Sequence, residues 1–544
     1  MLAAIALGFW SQLGALPLFD LDEGAFSEAT VEMVHSGDYL SPTLNGEPRY
    51  DKPILIYWLQ SVSIRTFGIN EFAFRFPSAI CATIWLLLVY GFVLLFTHDA
   101  RGALLAGVSL GLSLMSGLIG HAAIADALLN ALLAATMLGI YSYSETPTVG
   151  RVLRVYLWMG LGFLAKGPIA VALPLATSLL FFLWQRRPQL WLKAVFNPLG
   201  WLLFAAVLAP WIYPLWQQDH GAFLGHFLRE HNINRYENTL QGHGGKPWYY
   251  LVWLPLIVLP FTALLPAAFA RARRADPLDG FLLIWFALVF LLFSFSATQL
   301  PHYLLYGATP LFILFGRSWR QMPSRVWVLL PALLMIGLLT ALPWILPMVP
   351  VPETRPFEAG ILNLAMASFN RSYYYLAGIA ALATLALLLV RRVDSYRAVI
   401  GAAFAFSLLM WFGVVPVVAR AQQDPVRDAA GRARELKLPV VSYRTFMPSF
   451  SVYRGEITPN RIPEPGELVF IRLDRIADLE AELGDGSMLI PEFKRGGIAL
   501  LMRSTAPATP EPSEGDATGA DHPQPVKPPL MDPNTAPPPT TTPN

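Results

Sequence analysis

The sequence predicts an all-α polytopic membrane protein carrying a small C-terminal α/β domain. Three observations lead there. Of 544 residues, 55% are hydrophobic and only 14% are charged, at a mean hydropathy of +0.47, a balance no soluble domain needs. The apolar residues gather into about thirteen stretches long enough, or nearly so, for a hydrocarbon core of roughly 30 Å. Past residue 420 that pattern stops, and short apolar runs alternate with amphipathic ones. The lone cysteine, Cys81, lies in an apolar run; that excludes an intrachain disulfide and argues against redox chemistry. No Walker motif and no G-x-G-x-x-G loop is present, so neither ATP nor a dinucleotide is expected. Nor is a nucleic-acid partner.

The predicted spans cover residues 2–18, 78–97, 102–119, 121–142, 152–166, 168–185, 198–216, 248–270, 279–297, 299–316, 326–348, 373–391 and 397–419. The first lacks a basic leader and a small-residue cleavage site, so it reads as a membrane helix rather than a signal peptide. The pair around Lys166 is either two spans or one broken segment. Alternate connections carry Arg101; Arg151 and Arg154; Arg186, Arg187 and Lys193; Arg271, Arg273 and Arg274; Arg317, Arg320 and Arg325; and Arg391, Arg392 and Arg397. Short Arg-rich loops are cytoplasmic. The opening loop, the 217–247 connection and the 349–372 connection then face outside, as does the C-terminus.

The opening loop is densely acidic, with Asp20, Asp22, Glu23, Glu28, Glu32, Asp38, Glu47 and Asp51 before Lys52. Residues Ala25 to Ser36 read as a helix stopped by Gly37 as a left-handed cap. Asp22 is then either the cap at the other end or a polar group of a reaction centre at the lipid boundary. Beyond residue 420, Asp424–Lys437 and Arg475–Leu483 read as helices. Val440–Tyr443, Phe450–Tyr453, Glu467–Leu473 and Ile498–Met502 read as strands. The predicted units are a membrane domain, 1–420, with external loops 19–77 and 217–247; an external α/β domain, 421–503; and a disordered Pro/Thr-rich tail, 504–544.

Further polar residues sit at the external helix ends. Asp126, a few residues into the fourth span, is costly at membrane depth; its plain reading is a packing partner for Asn130 or His121. Lys166, before Gly167 and Pro168, has a plain reading as a snorkelling lysine. The 217–247 loop holds His220, His226, His231 and His243 without a clean ligand spacing. Gln299, His302 and Tyr303 close another helix end, where a tyrosine is ordinarily an interfacial anchor. Acids and bases gathered at one membrane face suit a lipid-phosphate substrate, cations holding the phosphate and carboxylates handling hydroxyls or protons.

These motifs carry a resemblance. Asp22-Glu23, Tyr50-Asp51-Lys52-Pro53 with Tyr57-Trp58, Arg75-Phe76-Pro77-Ser78, Asp126, Leu164-Ala165-Lys166-Gly167-Pro168, Glu230-His231-Asn232 with Arg235-Tyr236, and Leu300-Pro301-His302-Tyr303 together resemble the bacterial aminoarabinose lipid A transferases. Those belong to the protein O-mannosyltransferase-like group of GT-C glycosyltransferases. The resemblance covers residues 1 to about 420 and implies a GT-C fold. It implies an inner-membrane enzyme that moves a sugar from a polyprenyl-phosphate carrier to lipid A or another acceptor at the periplasmic face. Attack by the acceptor on the anomeric carbon from the side opposite the departing phosphate would invert that centre. The resemblance implies Asp22 as principal catalytic carboxylate with Asp126 as partner. Glu23, Lys52, Lys166, Arg235 and Tyr303 would bind substrate, and Asp51 with His231 would form a zinc site. Two positions depart from the family: Asp51 where relatives have Glu, and Gln299 where they have Lys. The rival readings are a transporter or flippase of a lipid-linked glycan, and a relative that glycosylates protein or another glycan.

Overall fold

A computed structural model describes residues 1–228, 246–273, 276–352, 354–484 and 487–505. Among the described residues seven helices are long and apolar enough to cross a membrane. Two further pairs pass that test jointly but are bent, Ala100–Leu112 with Leu114–His121 by 61° and Tyr249–Ile257 with Phe261–Ala270 by 109°. The chain is a multi-pass membrane protein. Helix meets every predicted span, with two departures near the site, in the first and fourth spans.

The first span is shortened to Leu2–Ile5 and a wider π turn, Ala6–Trp10. There the backbone closes on its neighbour: a Cβ at Gly8 would stand 1.9 Å from the Gly111 carbonyl oxygen. The fourth span begins later than predicted. His121 ends the bent pair, and a new helix, Asp126–Glu145, opens on Asp126 itself. The segment around Lys166 is two helices, Val149–Lys166 and Ile169–Trp184, parted at Gly167 with φ +75°. Asp126 therefore stands at a helix N-terminus and Lys166 at a helix C-terminus, each at the dipole end that favours its charge.

The C-terminal sheet has the order Val440–Ser442, Leu468–Arg472, Ile498–Thr505, Ser487–Arg495, the first pair parallel and the rest antiparallel. A period of two sorts its side chains. Val440, Leu468, Phe470, Ile498 and Leu500 pack on the helix Asp424–Leu436, while Val441, Val469, Ile471, Ala499 and Leu501 pack with Leu479 of the helix Ile476–Leu483. Two elements differ from expectation. Ser487–Arg495 is an edge strand that its Pro491 disguised, since proline is tolerated only at such an edge. Phe450–Tyr453 is helical, within Ser449–Arg454, closed by Gly455 in the left-handed region. The helix lets Phe450 stack on Phe470 at 4.0 Å while Tyr453 reaches the membrane domain, where its hydroxyl accepts the Leu18 N–H at 2.6 Å.

Candidate active site

The opening-loop helix runs Asp22–Ser36, three residues longer at its start than expected, and ends on Gly37 at φ +75°. Leu21 occupies the cap position, and no side-chain cap bond forms. Asp22 is thus not the N-cap. It is exposed, and among the described residues it makes no hydrogen bond or ion pair.

Its neighbours are held firmly. Glu23 is 4% exposed and both its oxygens are taken. Oε1 accepts Arg75 Nε–H at 2.8 Å and the Ala123 N–H at 2.7 Å; Oε2 accepts Arg75 Nη2–H at 2.7 Å and the Phe19 N–H at 2.8 Å. Arg75 spends its remaining donors on the carbonyls of Leu13, Leu16 and Pro17. A buried bidentate pair satisfied on every side fixes geometry. Glu23, expected to meet substrate, instead braces the turn that presents Asp22. Asp20 is tied from the other side, accepting the N–H and hydroxyl of Ser449. Burial pushes its carboxyl up to about 7, against the Ser449 bonds, which pull it down.

Asp20, Asp22 and Glu23 line one side of a cavity of about 390 Å³, with Arg75, His121 and His302 nearby. Much of the rest of its lining is apolar, including Met410, Trp411, Val414, Val415 and Val418. Met410–Val414 is a π turn, and Trp411 stacks on His121 with ring centroids 3.6 Å apart. The acids suit a polar group and the apolar lining a hydrocarbon chain.

Behind His302 lies the second carboxylate. Asp126 Oδ1 accepts from Lys166 Nζ at 2.7 Å and from the Tyr306 hydroxyl at 2.7 Å, and it lies 3.8 Å from His302 Nε2. The side chains of Asp126 and Lys166 are 7% and 12% exposed, so Lys166 does not snorkel. Asn130 reaches only the Asp126 backbone carbonyl, and His121 bonds Ser11 and Gly117; neither is the partner the plain reading offered. Lys166 Nζ stands 5.6 Å and 5.4 Å from the Tyr303 and Tyr306 ring centroids. Tyr303 is buried and its ring stacks on Tyr306. Both ride on the 3₁₀ turn Pro301–Gly307, where positions three apart eclipse. That spacing was the available signal for Tyr306, which the sequence reading passed over. Gln299 is buried and donates to the carbonyls of Phe293 and Ser294.

Lys52 is half-buried, its Nζ donating to the Asp51 carbonyl at 3.1 Å. Asp51 lies 3.6 Å from Arg49, whose buried guanidinium also donates to the Ala25 carbonyl and stands over the Phe26 ring. Arg235 and His231 lie outside the described residues. Among the described residues no three His, Cys, Asp or Glu converge on a point where a metal ion would sit. Of the expected zinc pair only Asp51 is among the described residues, and its carboxylate lies beside the Arg49 guanidinium.

Glu28, six residues beyond Asp22 on the same helix, is 2% exposed with Oε2 unpartnered. Burial, then the Glu32 charge, pushes its carboxyl up to about 8 from 4.5. The folded state therefore holds a proton the unfolded chain releases, and stability present below about pH 4.5 is lost as pH rises through 8. Glu28→Gln should raise Tm little at pH 5 and progressively more up to pH 9. Parallel Tm curves for the two proteins would show that Glu28 is not buried as acid.

The family model described as dolichyl-phosphate-mannose-protein mannosyltransferase matches residues 51–214. The undecaprenyl phosphate-alpha-4-amino-4-deoxy-L-arabinose arabinosyl transferase of Aeromonas salmonicida is 34% identical over 310 residues, 56% of this chain and 56% of that protein. The protein of the same name from Photorhabdus laumondii is 30% identical over 308 residues, 55% of each. The chain thus spans little more than half the length of these relatives. The crystal structure of ArnT from Cupriavidus metallidurans bound to undecaprenyl phosphate superposes with a TM-score of 0.77 at 18% identity, covering 92% of this chain and 96% of that one. The architecture is that of the polytopic GT-C glycosyltransferases. Within that class the chain is similar to the aminoarabinose transferases, and the resemblance its loop motifs carry is borne out.

Proposed function

We propose that this chain is an inner-membrane glycosyltransferase that moves aminoarabinose, or a similar sugar, from a polyprenyl-phosphate carrier to lipid A at the periplasmic face. The observation that carries the reading is Asp22, a carboxylate without a partner among the described residues, set in a cavity whose lining is otherwise largely apolar. A soluble substrate needs no such lining, whereas a lipid-linked sugar does. The named relatives, and the carrier in the ArnT crystal, support the donor class.

Asp22 works at the anomeric carbon. With a lipid A phosphate as acceptor, the attacking oxygen is already anionic and Asp22 orients the sugar or steadies positive charge at that carbon. With a hydroxyl acceptor it takes the proton. In both cases the acceptor oxygen–carbon bond forms as the carbon–oxygen bond to the carrier phosphate breaks. Lys52, Arg235 and Tyr303 meet the leaving phosphate as its charge grows. Asp126, Lys166 and Tyr306 form the ionic frame behind them, with His302 between frame and cavity.

Purified protein in detergent, given undecaprenyl-phosphate sugar and lipid A, should shift the acceptor's mass by one sugar without any gradient. A flippase would leave both masses unchanged in detergent and act only between two compartments. Lys52→Ala should weaken binding of undecaprenyl phosphate by roughly tenfold to a hundredfold, the loss of one charge-assisted contact. Arg49→Ala should instead lower Tm, because Arg49 is spent inside the fold. Unchanged carrier affinity in Lys52→Ala would remove Lys52 from the phosphate site.

A further inference from the structure

The membrane helices carry a second polar cavity at their other ends. The helix Glu71–Thr97 starts beside the candidate site, at Arg75, and reaches this cavity at Thr97. Twenty-two residues separate the two points, roughly 33 Å along the axis, about one hydrocarbon thickness. The cavity has a volume of about 700 Å³ and is lined by Arg101, Arg271, Arg317 and Arg320 against a single carboxylate, Asp99.

Two of these arginines are built in. Asp279, 0% exposed, accepts Arg271 Nε–H at 2.7 Å and Arg317 Nε–H at 2.6 Å through its two oxygens. Arg271 Nη1 donates to the Arg317 carbonyl, and Arg317 Nη2 to Asp276. That leaves Arg271 Nη2 and Arg317 Nη1 without a bond among the described residues, on side chains whose direction a buried acid has fixed. The other two arginines stand over the Trp319 ring, Arg101 at 5.5 Å and Arg320 at 5.2 Å from its centroid. The indole N–H is held by Asp99 at 2.7 Å. Arg101 has no ion pair among the described residues. Exposed apolar side chains, Leu95, Val326 and Trp327, flank the cavity in sequence at this end of the bundle.

We infer that this cavity binds the phosphodiester of an anionic phospholipid from the leaflet opposite the candidate active site. Four guanidiniums, Arg320 paired with Asp99 at 3.3 Å and two others pre-oriented with spare N–H donors, match a phosphate by charge and by fork geometry. A basic pocket between helix ends beside lipid-facing apolar surface takes a headgroup whose chains remain in the bilayer. Arginines that merely orient the chain would need neither the buried Asp279 nor the aromatic shelf.

Native mass spectrometry of the full-length protein with phosphatidylglycerol, phosphatidylcholine or inorganic phosphate tests this. Phosphatidylglycerol adducts should dominate over phosphatidylcholine. Arg101→Gln and Arg320→Gln, both at exposed side chains, should each weaken phosphatidylglycerol retention about fivefold, and together about 25-fold, with Tm unchanged. Equal retention of phosphatidylcholine, or undiminished phosphatidylglycerol on the double variant, overturns the site. Displacement by inorganic phosphate at matched concentration overturns the lipid as its source.

Discussion

Asp22→Asn should lower sugar transfer by at least about a hundredfold, and as much as about ten-thousandfold if the acceptor is a hydroxyl that needs a base. The protein should otherwise persist. Asp22 is exposed, holds no cap bond, and stands on the first residue of the helix Asp22–Ser36. Losing its charge there forfeits only the dipole contribution, about 0.3–1 kcal/mol, so Tm and carrier binding should stay near those of the parent. The cavity's other acids provide the controls. Asp20→Asn retains an oxygen for the Ser449 N–H and should keep most of the activity. Glu23→Gln strips a charge from a saturated pair and should lower Tm as well as rate. Only Asp22 should separate catalysis from stability. Turnover of Asp22→Asn within tenfold of the parent would remove it from the chemistry. A product retaining the donor's anomeric configuration would overturn the single displacement and require a covalent intermediate.

The apolar helices and the end of the opening-loop helix were legible because each rests on local pattern: apolar length and the Gly37 stop. Partners were not. Asp126 and Lys166 each stood out as a charge in an apolar stretch, but forty residues separate them. Only the packing of the helices Asp126–Glu145 and Val149–Lys166 reveals that each answers the other. Glu23 and Arg75 lay in two separate motifs, and their union turns an expected ligand into a brace. Asp20 finds Ser449, 429 residues away, which no periodicity reports. The segment Phe450–Tyr453 misled for a related reason. Its alternation of large apolar side chains fits a strand, yet Phe450 packs into the sheet while Val452 packs with Val31 of the opening-loop helix. A short helix serves two bodies in directions a strand does not.

Lys166→Met should be the most damaging substitution for stability. The pair is enclosed, with 12% of the lysine side chain and 7% of the aspartate exposed. Methionine fills the volume of the lysine stem and leaves Asp126 charged, facing only the Tyr306 hydroxyl and His302. Breaking a buried pair from one side costs about 3–5 kcal/mol, because the remaining charge loses its compensation without regaining water. That is a large share of the stability typical of a folded chain, so the variant should unfold well below the parent in detergent and yield little protein. Replacing both partners separates charge from shape. Asp126→Asn combined with Lys166→Met removes both charges and keeps an acceptor for the Tyr306 O–H. The double variant should therefore recover most of the lost Tm, a coupling of opposite sign to the single loss. Activity should not return with it, since the frame behind His302 and Tyr303 would have lost the charges that orient it. If Lys166→Met matches the parent's Tm, water or lipid reaches Asp126 and the pair is not enclosed. If the double variant is as unstable as the single, the damage lies in the lysine's packing rather than in the orphaned carboxylate.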